Sequence, residues 1–148
     1  MKLISTLLLY LSVFVSTVFA QDLPHLKESA FKGGERLKYK LRYGIISAAT
    51  GTLSVGDTKD GFGNPSFHLY AAGKSAGALA IYTVRNEYNS YINSKTFLPY
   101  YYTENIREGG YRRNDKVRFN QATRTVVGNK GTFTSKVDQT FDLLSSYY

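Results

Sequence analysis

The chain has no cysteine and no tryptophan, one methionine, three prolines and two histidines among its 148 residues. Without cysteine there is no disulfide staple, thiolate nucleophile, CxxC zinc site or cysteine-ligated iron-sulfur cluster. His25 and His68 leave little for metal chemistry. A Ser-His-Asp arrangement would have to use one of them, and no G-x-S-x-G turn exposes a nucleophile. GxGxxG, Walker and HExxH segments are also missing, so no cofactor is expected. Glu104 and Glu108 share one face of a predicted strand. Four residues of extended chain set them roughly 13 Å apart, beyond the ~5 to 9.5 Å that glycoside hydrolysis uses. The reading is therefore non-catalytic.

What is abundant is tyrosine and glycine, 13 of each, with 43% hydrophobic and 20% charged residues. That composition excludes a collagen-like, coiled-coil or wholly disordered chain, and the length suits one domain. Met1-Lys2, the apolar run Leu3 to Phe19 and Val18-Phe19-Ala20 have the form of a secretory signal peptide cleaved between Ala20 and Gln21. An uncleaved anchor is the competing reading, because the run approaches the roughly 20 residues that span a bilayer. Its serines and threonines and the small-residue cleavage motif favour removal, leaving no transmembrane segment. The expected division is a leader at 1–20, a loose lead-in at 21–30 and a single β domain at 31–148.

The formal net charge of +8 falls to +7 without the leader, whose only charge is Lys2. Such a balance favours acidic partners, lipid headgroups or an anionic glycan. Nucleic acid is not expected, since no binding motif is present and an exported protein seldom meets it. The competing reading makes the bases the wet faces of strands, because they alternate with apolar residues along the chain.

Period-two alternation is clear from Glu35 to Tyr43, where Leu37, Tyr39, Leu41 and Tyr43 interleave with Arg36, Lys38, Lys40 and Arg42, predicting a strand with one core face and one cationic face. Strands follow at Thr50 to Gly56, Ser66 to Ala72 and Val84 to Ile92, the first three forming a meander because their connections are short. Between the third and fourth, Ser75 to Thr83 departs from alternation and predicts a short helix capped by Ser75. Tyr100 to Glu108 and Tyr111 to Phe119 flank Gly109-Gly110, a two-residue hairpin turn. This turn sets Glu108 opposite Tyr111, Ile106 opposite Arg113, Tyr102 opposite Val117 and Tyr100 opposite Phe119. It also juxtaposes Glu104 with Asp115 and Arg107 with Arg112. A last hairpin is expected from Thr123 to Val127 and Thr132 to Val137. Asp138 to Tyr148 predicts a helix directing Phe141, Leu144, Tyr147 and Tyr148 to a core, cut short at the end of the chain. The fold class expected is mainly β: an antiparallel curved sheet or open barrel with a short internal helix and an incomplete C-terminal helix.

Phe31-Lys32-Gly33-Gly34-Glu35-Arg36-Leu37-Lys38-Tyr39, Gly51, Thr96 to Pro99, Arg107-Glu108-Gly109-Gly110-Tyr111 and Asp138 to Tyr148 together resemble the exported bacterial proteins of domain of unknown function family 3108. The resemblance covers nearly all of the chain after the leader. It implies an antiparallel β fold, a periplasmic or envelope location in a Gram-negative bacterium and further strands beyond Tyr148, and it supplies no activity or catalytic residues.

Two functions are weighed on the remaining features. One is binding of a lipid or other amphiphile in the concave side of the sheet, with Tyr82, Tyr100, Tyr102 and Phe119 lining the cavity. The other is recognition of glycan or protein by exposed tyrosine and arginine faces, with an unrecognised hydrolase as a third possibility. Ordinary packing competes for the same rings, since strands favour tyrosine.

Overall fold

The computed structural model describes residues 31–148; the leader, its cleavage point between Ala20 and Gln21, and the lead-in lie outside them. Eight antiparallel strands form one open sheet in chain order: β1 Arg36–Tyr43, β2 Ile46–Lys59, β3 Pro65–Ser75, β4 Val84–Asn93, β5 Pro99–Glu108, β6 Tyr111–Asn120, β7 Thr125–Gly128 and β8 Gly131–Thr134. Every connection is too short for a parallel crossover, so each strand pairs with its successor. The ends, β1 and β8, do not meet, so the sheet is open, as expected, and β1 and β8 are its edge strands among the described residues. Among the described residues no helix is long and apolar enough to cross a membrane.

The Gly109-Gly110 turn holds the expected register from Glu108 opposite Tyr111 to Tyr101 opposite Arg118. Glycine is required at 109 twice over. Its φ is +54°, and a Cβ there would sit 2.8 Å from the Tyr82 ring. The predicted helix is a single 3-10 turn, Gly77–Ile81. Ser75 does not cap it: Ser75 ends β3, and its Oγ accepts from the Val84 N–H at 3.0 Å, tying the two ends of the excursion together.

Alternation in β2 to β5 sends Val55, Leu69, Ala71 and Ile92 to one face, where Phe31 and Leu144 complete a buried cluster and Leu53, Phe67, Tyr88, Phe97 and Tyr148 pack around it. Phe31 anchors this end. Its ring meets Phe67 and Phe97 edge-on at 5.4 Å and Tyr148 at 4.9 Å, separations at which aromatic pairs attract beyond their buried area.

Two expectations fail. The C-terminal helix is absent: 138–148 runs as extended chain and turns. The Asp142 carboxylate accepts from the backbone N–H of Leu144 (2.8 Å) and Ser145 (3.0 Å), and the Ser145 hydroxyl donates to the Asp142 carbonyl oxygen. These short-range bonds compete with a helical ladder for the same groups. Leu144 and Tyr148 still reach the core, whereas Phe141 and Tyr147 are exposed. The second failure is β1. Its apolar face is open toward its far end, from Leu37 41% exposed to Leu41 64% and Tyr43 84%, because β1 is an edge strand of the sheet. The last hairpin is also shorter than expected, ending at Thr134.

Candidate functional site

Of the four residues expected to line one cavity, Tyr102 and Phe119 share the apolar face at neighbouring positions of the β5–β6 pair, while Tyr82 and Tyr100 lie elsewhere. Tyr82 lies against Gly109 at the tip of the β5–β6 hairpin, seven residues along the chain from Tyr102, or roughly 23 Å of extended strand. Tyr102 is buried in the sheet's apolar face, where its hydroxyl donates to Glu104 Oε2 at 2.9 Å. Burial first, and then that carboxylate, push its phenol well above the ordinary tyrosine value. Phe119 is half-buried opposite Val126 of β7. Tyr100 departs furthest from its predicted place. Tyr91 pairs with Tyr101 and Ile92 with Pro99, so Tyr100 is the extra residue of a bulge. Bulges re-aim side chains; Tyr100 leaves Tyr102 and joins Tyr91, at 6.3 Å between rings, on the opposite face.

Beside Tyr102, Arg113 resolves the predicted clash of Glu104 with Asp115. Its Nε donates to Asp115 Oδ2 at 2.7 Å while lying 2.9 Å from Glu104 Oε1. Oε1 thus receives the positive charge without the hydrogen, and is the one buried side-chain polar atom among the described residues lacking a hydrogen bond. Further along this face, Ser90 Oγ donates to Asp142 Oδ2 at 2.6 Å. The C-terminal segment therefore occupies much of the face on which a ligand was expected.

The other face is basic. Strand pairing sets Lys74 opposite Arg85, Arg85 opposite Arg107, and Arg107 opposite Arg112. With neighbouring strands about 4.8 Å apart, the four stand in a line across the sheet over roughly 14 Å. Thr50 and then Lys40 continue the line through β2 and β1. Like charges directly opposite one another are unfavourable. Arg112 is partly engaged by the carbonyls of Gly109 (2.7 Å) and Tyr111 (2.8 Å). Lys74, Arg85 and Arg107 make no ion pair among the described residues.

The next line of side chains is Lys38, Thr52, Ala72, Glu87, Asn105 and Asn114. Glu87 is the only carboxylate on this face of β1 to β6, since Asp57, Glu104, Glu108 and Asp115 all alternate to the apolar side. Two hollows open here. One, about 250 Å³, includes Thr52, Tyr70, Lys74, Arg85 and Glu87 in its lining; the other, about 120 Å³, is lined by Arg85, Glu87, Asn105 and Arg107. Toward the far end of the face His68 stacks on Tyr91, with centroids 4.6 Å apart and planes 9° apart, and Arg118 lies 5.7 Å from the Tyr101 ring centre. His68 Nε2 donates to Asn89 Oδ1 at 2.9 Å, and Asn89 in turn donates to Thr103, which holds the stack.

A family model described as a protein of unknown function, DUF3108, matches residues 38–148. The chain belongs to that family. No curated protein and no solved structure matches it. The DUF3108 match takes in the whole basic line from Lys40 to Arg112 and both hollows, and of the buried core cluster it leaves out Phe31 alone.

The basic line escaped sequence reasoning because its members are scattered singly through β3 to β6. Only the Arg107 and Arg112 pair was legible, through the Gly109-Gly110 turn. Joining Lys74 and Arg85 to it required the register of two longer connections, one of them across the 3-10 excursion.

Proposed function

We propose that this DUF3108 protein is an exported, non-catalytic binding protein of the bacterial envelope, and that its basic face is the working surface, taking an anionic ligand along Lys74, Arg85, Arg107 and Arg112. The observation that carries this is the continuous cross-strand line of four cations, none of them in an ion pair among the described residues. An anion laid across it would offset the mutual repulsion of the row and gain charge-assisted hydrogen bonds, which are shorter and stronger than neutral ones. The test is retention of the full chain on an immobilised sulfated polysaccharide. Replacing Lys74, Arg85 and Arg107 together by Gln should abolish retention, whereas replacing Lys59, Lys95 and Lys130 removes the same charge and should leave most of it. Equal losses would reduce the effect to net charge and remove the site.

Amphiphile binding on the apolar face has one supporting observation: a hollow of about 160 Å³ among Val117, Val126 and Phe133, flanked by Arg113 and Lys130. Saturable uptake of an environment-sensitive fatty-acid probe, weakened by Phe133→Ser, is the result expected if that hollow holds an acyl chain.

A further inference from the structure

Resting on the reading of the basic face as an anion-binding surface, we infer that its ligand is an acidic glycan, a sugar polymer carrying carboxylates or sulfates at intervals, and that Glu87 and Asn105 read its hydroxyls. A surface for a polyphosphate or a nucleic-acid backbone gains from cations throughout, and a carboxylate within it only repels. Here the carboxylate is at the centre. Glu87 lies two residues along β4 from Arg85 of the cation line, so on the same face, lines both hollows together with Arg85, and stands opposite Asn105.

Glu87 is not there to neutralise its neighbours. Although flanked by Arg85 on its own strand and by Arg107 beside its partner Asn105, it makes no ion pair among the described residues. An ionised carboxylate accepts hydrogen bonds and donates none, whereas an amide does both. A hydroxyl can donate to Glu87 and also accept from the Asn105 amide, which no phosphodiester oxygen can do. The side chains around the pair continue this chemistry: Thr52 and Tyr70 in the larger hollow offer hydroxyls, and the Tyr70 ring offers an apolar surface to the carbon face of a sugar. Cations in one cross-strand row and hydroxyl-reading groups, Thr52, Glu87 and Asn105, in the next match a chain in which anionic groups and hydroxyls share each unit.

The experiment titrates the full chain, at low salt, with polygalacturonate, with inorganic polyphosphate of equal charge and with neutral dextran. Polygalacturonate should bind saturably and dextran should not. Glu87→Ala should weaken polygalacturonate about tenfold, the scale of losing hydrogen bonds to a charged acceptor, and should strengthen polyphosphate by removing repulsion. Asn105→Ala should weaken polygalacturonate and leave polyphosphate unchanged, with thermal melts confirming that both variants fold. If polyphosphate binds as well as polygalacturonate, or Glu87→Ala strengthens both, the glycan assignment is overturned while the anion-binding face stands. If neither polymer binds, the proposed function falls with it.

Discussion

Tyr102 was expected at a cavity wall and is instead a donor inside the apolar face, and its environment has measurable consequences. Tyr102→Phe keeps the ring but removes the hydrogen from Glu104 Oε2, leaving a buried carboxylate whose other oxygen already lacks a hydrogen bond. The expected loss is roughly 1–3 kcal/mol in a denaturant melt at neutral pH. Because the folded phenol titrates above its unfolded value of 10.0, its contribution is fully present below about pH 10 and is lost as pH rises further. Tyr88, Tyr100 and Tyr148 are raised in the same direction, each chiefly by burial. Stability should therefore fall steeply on the alkaline side. The fall should be shallower in Tyr102→Phe, and equal slopes for the two proteins would remove Tyr102 from this account.

Among the elements, the C-terminal segment and β1 exchange their expected importance. The segment is held by Asp142 on Ser90 and by Gln121, whose amide donates to the carbonyls of Pro99 (2.9 Å) and Thr140 (2.8 Å) while its oxygen accepts from the Thr140 N–H. It inserts Leu144, 5% exposed, into the core. Leu144→Ala should cost about 2–4 kcal/mol, the range for truncating a buried leucine. Leu41→Asp, which the alternation of β1 would make severe, should stay within about 1 kcal/mol, since the side chain is already in water. Paired denaturant melts decide this, and the reverse ranking would mean that β1 is covered.

For the whole molecule, alternation segregates charge: the bases of β3 to β6 other than Arg113 face away from the core, and every strand carboxylate except Glu87 faces toward it. A positive face on a chain of formal net charge +8 should steer acidic polymers to itself and bind them with strong dependence on salt. If Lys74, Arg85 and Arg107 displace counterions from a polyanion, the slope of log affinity against log salt should be about −2 to −3. Replacing any one of the three by Gln should reduce the slope by about 1. A slope indifferent to these substitutions would place binding elsewhere.

Local chemistry determined the antiparallel class, the strand sequence and the β5–β6 register. Alternation reports which residues share a face, and a Gly-Gly turn fixes pairing within a few residues of itself. The faces' roles were beyond that reach. Whether Leu41 or Leu144 is buried depends on what lies over a strand, which residues far away in sequence decide: Asp142 docks on Ser90 of β4, while among the described residues Leu41 of β1 stays 64% exposed. The bulge at Tyr100 likewise moved a ring across the sheet for a reason found in the pairing with β4, not in β5. The basic line is the clearest case. Four cations that are solitary along the chain become neighbours because each strand pairs with the next in one particular register, and that register was settled by burying Val55, Leu69 and Ile92 on the other side.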